Sequence, residues 1–221
     1  MVAAGRRLRA GGLVAGTEGN LSIRVGGALL ITPSGRRKDE LEPEDLLVAP
    51  GNGESAAASG HVGPRPSSDV AIHRAVYAAR PDATAVVHAH LPASMALTLA
   101  AETPDPAVLP ETALLLPRLP LVGYGTPGSA ELAGRIGAAL GTGPPPLPGA
   151  VLLERHGAVA VGDGDPIAAL ALAVDRLELV EVLCRAWRDA LLLRAARTGR
   201  AGRAILRPPG PEPARQARGR T

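Results

Sequence analysis

The stretch Ala85-Val86-Val87-His88-Ala89-His90 sets the tightest limit on how this chain can fold. An unbroken apolar run ending in two histidines one residue apart reads as a buried strand, in which residues i and i+2 point to one face. His88 and His90 then present two imidazoles side by side, a geometry suited to one metal ion. A bare His-x-His pair is more often two separately satisfied side chains. What shifts the reading is His156, which follows a second apolar run, Val151-Leu152-Leu153. Three neutral imidazoles are a common catalytic zinc set and leave a coordination position open for water or substrate.

Other residue types narrow the function classes. The only aromatic side chains of the Phe, Tyr and Trp type are Tyr77, Tyr124 and Trp187. Single-strand nucleic-acid binding relies on aromatic stacking platforms, so no nucleic-acid partner is expected. The net charge of +3 is almost wholly arginine, with several arginines in the last thirty or so positions, and reads as a solvated tail. Lys38 is the sole lysine and lies in Gly35-Arg36-Arg37-Lys38-Asp39-Glu40, which reads as a charged surface loop rather than a Schiff-base pocket. Any carbonyl chemistry is therefore expected to use a metal as its electrophile. Cys184 is the only cysteine, sits among Leu and Val, and reads as a buried, inert thiol in a reducing compartment. Residues 1–15 are broken by Arg6, Arg7 and Arg9 and lack a signal core, and no uncharged run is long enough to span a bilayer. A cytoplasmic protein without membrane association is the expectation.

Taken in order, residues 2–10 predict a short helix ending at Gly11-Gly12. The loop Gly16-Thr17-Glu18-Gly19-Asn20 precedes a strand at 21–25, a Gly26-Gly27 hairpin and a strand at 28–31. Thr32-Pro33-Ser34-Gly35 is a second hydroxyl-bearing loop. A helical turn at 42–46 leads to a strand at 47–49, and 51–66 read as a long loop carrying the unpartnered His61. Ser67-Ser68 precedes an amphipathic helix from Asp69 to Arg80, stopped by Pro81. That helix start is either a plain serine cap or an anion site. Asp69 is either a first-turn carboxylate or a functional one, and His73 reads as a packed structural histidine on the same face. Helices are expected at 92–101, 130–140 and 166 to about 197, the last with Asp175, Arg176, Glu178 and Glu181 on a wetter face. Residues 103–120 are proline-punctuated and unplaced. The run 150–162 reads as two strands turning at His156-Gly157. One layered α/β domain over 1–198, with a disordered Pro/Arg-rich tail at 199–221, is the simplest sum of these elements.

These residues, taken together, resemble the class II aldolase and adducin head-domain family. The carriers are Gly19-Asn20-Leu21-Ser22, Ile31-Thr32-Pro33-Ser34-Gly35, Pro66-Ser67-Ser68-Asp69, His73 with Tyr77, and Val87-His88-Ala89-His90. Tyr124 with Pro127-Gly128-Ser129-Ala130-Glu131-Leu132, and Leu152-Leu153-Glu154-Arg155-His156-Gly157, complete the set. The resemblance implies a three-layer domain with a central, mainly antiparallel sheet, and one Zn²⁺ per subunit on His88, His90 and His156. It implies phosphate binding by Asn20, Ser34, Gly35, Ser67 and Ser68 with Thr17 nearby, and Asp69 as the acid/base. It further implies a homotetramer with sites between subunits, into which Tyr124 of a neighbour enters. The expected activity is aldol cleavage of a phosphorylated ketose, such as L-fuculose 1-phosphate, to dihydroxyacetone phosphate and an aldehyde. One departure is the aspartate at 69 where the sugar-phosphate aldolases usually carry glutamate. That departure keeps an L-ribulose-5-phosphate 4-epimerase, or a sugar-phosphate dehydratase or decarboxylase, as the alternative on the same site. A non-catalytic adducin-like scaffold is more remote, because all three histidines remain.

Overall fold

The computed structural model describes residues 1–51 and 63–197, so His61 and the expected tail at 199–221 lie outside the described residues. Seven strands form one sheet in the order β3-β2-β1-β4-β7-β6-β5. They are β1 (Asn20–Val25), β2 (Ala28–Ile31), β3 (Leu47–Pro50), β4 (Ala83–Ala89), β5 (Leu121–Val122), β6 (Ala150–Leu153) and β7 (Gly157–Asp163). Every neighbouring pair is antiparallel except β5 with β6. The run ending in His88 is therefore the central strand, and its burial on both faces explains why it is apolar throughout.

Alternation along β4 assigns the two layers. Ala85, Val87 and Ala89 join a core with helices α1 (Val2–Ala10), α3 (Pro92–Leu99) and α6 (Pro166–Arg197). Val86 faces the other way, into a core with α2 (Val70–Ala79) and α5 (Ala130–Gly141). His88 shares the parity of Val86 and so faces the α2 layer. The unplaced stretch 103–120 holds a 3₁₀ turn at Pro106–Val108 and helix α4 (Pro110–Leu115). Among the described residues no helix is long and apolar enough to cross a membrane.

Three sequence expectations change. Lys38 is 2 % exposed, not on a surface loop; its ammonium donates to the carbonyls of Thr17 (2.9 Å) and Arg36 (2.7 Å). Burial pushes the Lys38 pKa down to about 8. Glu181 is 2 % exposed, not on the wet face of α6, because its carboxylate accepts from the backbone N–H of Ala93 at the start of α3 and pairs with Arg185 at 2.8 Å. The cap position of α2 is Asp69, not a serine, and the Asp69 side chain does not cap it. Cys184 is buried as expected, and burial pushes its thiol up to about 12.

Candidate functional site

The three histidines converge at the end of β4. His88 is the strand's penultimate residue, His90 lies just past its end, and His156 sits in the turn between β6 and β7. Their ring centroids stand 4.9, 4.8 and 4.7 Å apart, pair by pair. The turn reaches the strand because residue 157 is glycine. Gly157 has φ +92°, and a Cβ there would stand 2.1 Å from the Ala89 carbonyl oxygen and 2.7 Å from His90 Cα.

The tautomers suit a cation. A carbonyl oxygen only accepts, so His88 Nδ1–H donates to Ala158 O at 3.0 Å and Nε2 is left bare. That Nε2 lies 3.1 Å from Nε2 of His90. Two nitrogens on one tetrahedral zinc, each bound at about 2.0–2.1 Å, stand about 3.3 Å apart. His156 Nδ1 is buried without a hydrogen-bond partner, a polar atom that an ion's coordination would satisfy. The ligand atoms of the three residues all lie within 4.8 Å of one another. Burial, then repulsion from His90 and His156, holds the His88 pKa well below the ordinary range; burial, then His90, lowers that of His156. Neutral rings are the metal-binding form, so the donor set fits a zinc-type ion.

Asp69 lies beside this cluster, 8 % exposed, and its Oδ2 accepts from Asn20 Nδ2 at 3.0 Å. Asn20 pairs in register with His88 and faces the same layer. Its carbonyl Oδ1 is 2.5 Å from His73 Nε2, so one amide hydrogen remains for a ligand. His73 is fully buried, in keeping with the structural reading of that residue.

The hydroxyl-bearing loops come together as well. A bridge between Pro33 and Pro66 aligns them: Ser34 N–H donates to Arg65 O at 2.8 Å, and Ser67 N–H to Thr32 O at 3.2 Å. Ser34, Gly35 and Ser68 are exposed on this rim, while Ser67 is buried and its Oγ accepts from Asp69 N–H at 3.3 Å. Thr17 is exposed on the adjoining loop, which Lys38 ties to Arg36. Tyr124 is apart from the rest of the set in its environment. The residue is 50 % exposed, and among the described residues its backbone is held by Glu154 and Arg135 while its phenol has no hydrogen-bond partner.

Sequence reasoning gave no role to Glu18. Its carboxylate lies 3.5 Å from His90 Nδ1, where it can orient the ring from behind. The only signal was its place in a glycine-flanked loop, and Gly19 is what admits that loop: a Cβ there would meet His88 O at 2.9 Å.

Comparison with known proteins bears on the chain as a whole. The sequence profile of the class II aldolase and adducin N-terminal domain matches residues 1–187. A 5-methylthioribulose-1-phosphate/5-deoxyribulose-1-phosphate aldolase of Rhodospirillum rubrum is 39 % identical over 183 residues, covering 82 % of this chain and 77 % of the relative. An L-fuculose phosphate aldolase of Haemophilus influenzae is 33 % identical over 153 residues, covering 69 % and 66 %. The crystal structure of L-fuculose-1-phosphate aldolase from Thermus thermophilus superposes with a TM-score of 0.71 at 32 % identity, covering 91 % of this chain and 95 % of that one.

Proposed function

The chain belongs to the class II aldolase and adducin N-terminal domain family, and from that premise we propose that it is a zinc-dependent aldolase cleaving a ketose phosphorylated at C1. The observation that carries this reading is the cluster of His88, His90 and His156, whose ligand atoms lie within 4.8 Å of one another beside a buried carboxylate. A scaffold has no use for such a donor set.

The three histidines would hold Zn²⁺, which when bound supplies an electrophile to polarise the ketose carbonyl. The loops carrying Thr17, Ser34, Gly35, Ser67 and Ser68, with the free amide hydrogen of Asn20, would bind the phosphate and fix the carbon chain. Binding energy from this remote group then serves to position the reacting carbons. Cleavage breaks the bond between C3 and C4. The C4 hydroxyl loses its proton and C4 becomes the aldehyde carbon, while the electron pair stays on C3, which takes a proton. The Asp69 carboxyl group would move the proton at C3, and the Tyr124 phenol of a neighbouring subunit would handle the one at the C4 oxygen. A 1-phosphorylated ketose so cleaved gives dihydroxyacetone phosphate and an aldehyde.

The test offers the purified protein 5-methylthioribulose 1-phosphate, 5-deoxyribulose 1-phosphate and L-fuculose 1-phosphate, and follows dihydroxyacetone phosphate release and bound metal. Release from at least one ketose, with about one Zn²⁺ per chain, is expected. His88→Ala and His156→Ala are expected to lose both. Full metal occupancy in both variants would sink the three-histidine site, and epimerised or dehydrated ketose without triose release would replace the aldolase reading with its alternative.

A further inference from the structure

The buried polar residues behind Asp69 follow one geometric rule. Asp69 at the cap of α2 and His73 and Tyr77 within it recur every four residues, a rise of about 6 Å, while Asn20 and Ser22 recur every two along β1, a rise of about 6.6 Å. The two stripes keep pace, so their side chains interleave. In order the contacts are Asp69 Oδ2 to Asn20 Nδ2 at 3.0 Å, Asn20 Oδ1 to His73 Nε2 at 2.5 Å, His73 Nδ1 to Ser22 Oγ at 2.6 Å, and Ser22 Oγ to the Tyr77 hydroxyl at 2.9 Å.

We propose that Tyr77, Ser22, His73 and Asn20 form a one-way hydrogen-bond ladder that orients the Asp69 carboxylate, with His73 as its central positioning residue. The proposal rests on the reading of Asp69 as the proton-transfer group. Valence sets the direction. The Asn20 carbonyl oxygen can only accept, so His73 Nε2–H donates to it. A neutral imidazole then accepts at Nδ1, and Ser22 supplies that hydrogen. Ser22 Oγ in turn accepts from the Tyr77 hydroxyl at 2.9 Å, a shorter contact than those the same hydroxyl makes with the carbonyls of Ser22 (3.1 Å) and Thr84 (3.3 Å). At the other end the Asn20 amide donates to Asp69. Each link donates toward the carboxylate, and each polarises the next. The ladder carries no proton, because the Asn20 amide has none to pass on. What it does is hold Oδ2 of Asp69 and so fix the orientation of the carboxylate. Burial supports the neutral ring by pushing the His73 pKa down to about 3.

Histidine-selective ¹⁵N labelling and long-range ¹H–¹⁵N correlation read the His73 tautomer directly in the wild-type protein. The expected result is Nε2–H with a bare Nδ1, unchanged from about pH 6 to 8. An Nδ1–H tautomer or a doubly protonated ring would overturn the ladder. In parallel, His73→Leu is expected to lower kcat on 5-deoxyribulose 1-phosphate about 10- to 100-fold, with KM and bound zinc unchanged. His73→Gln, whose side-chain amide can donate to Asn20, should restore most of that loss. A folded His73→Leu protein with wild-type kcat would also overturn the proposal. If the wild type cleaves none of the three ketoses, the functional reading fails by itself, and the tautomer still decides the ladder.

Discussion

At the scale of single residues, Gly157 tests how the metal site is assembled. Gly157→Ala forces a Cβ against the Ala89 carbonyl at a φ of +92°, so the β6–β7 turn must lift from β4. The expected cost is more than about 1 kcal/mol of unfolding free energy, read by denaturant titration, together with weakened zinc retention although no ligand is removed. Lys38 gives a second, pH-dependent test. Its native pKa is about 8 against an ordinary 10.5, so above about pH 8 the unfolded chain holds more of its protons. The cost of burying the ammonium is full below about pH 8 and is relieved as pH rises toward 10.5. Stability of the wild type relative to Lys38→Met should therefore rise across that window, and a flat difference would mean that the ammonium is not buried in solution. The histidines were legible from the sequence because a strand's period of two and a following apolar run are local patterns. Lys38 was not: its neighbours Arg36, Arg37, Asp39 and Glu40 read as solvated, and its burial depends on the Thr17 loop closing over it. The ladder behind Asp69 was half legible, since Asp-x₃-His-x₃-Tyr and Asn-x-Ser are visible spacings whose pairing spans 49 or more residues.

At the scale of elements, helix α3 begins two residues after His90, and its first turn is held by a residue from another helix. The Glu181 carboxylate accepts from Ala93 N–H at 3.1 and 3.2 Å, bringing a negative charge to the positive end of α3. Glu181→Leu leaves that buried N–H without an acceptor and should cost about 1–3 kcal/mol in urea unfolding. Glu181→Gln keeps an acceptor and should cost less, so the difference between the two isolates the bare N–H from the charge. Equal stability of all three proteins would show that the contact contributes nothing. Sequence reading found α3, α5 and α6 to within a residue or two at most ends, helped by proline at the starts of α3 and α6 and by glycine at the end of α5. Glu181 was assigned to the wet face because period alone cannot tell a helix face that meets solvent from one that meets another helix's free amides. Residues 103–120 stayed unplaced for a related reason: Pro106 and Pro110 start two short turns too brief to show any period.

At the scale of the whole molecule, the strand order places β4 in the middle of the sheet, so the histidines, Asp69 and the hydroxyl loops gather at the end of the central strand. Which strands neighbour which was not legible from local pattern, since β1 to β4 and β4 to β7 pair across long intervening segments; the family resemblance implied only a central, mainly antiparallel sheet. Tyr124 belongs to this scale. Its half-exposed position, with no hydrogen bond to the phenol among the described residues, is compatible with the proposed work on a neighbouring subunit's site. Mixed assemblies separate that arrangement from action within its own chain. Tyr124→Phe and Asp69→Asn are each expected to lose most turnover, Tyr124→Phe because the C4 oxygen loses its proton partner and Asp69→Asn because an amide cannot take the proton. In assemblies co-expressed from equal amounts of the two variants, a site built from two subunits draws Asp69 from one and Tyr124 from the other. With random assortment about a quarter of such sites carry both native residues, so about a quarter of wild-type turnover should return. If both residues serve one site within one chain, no assembly contains an intact site. Mixing would then restore nothing, and Tyr124 would have to be reassigned.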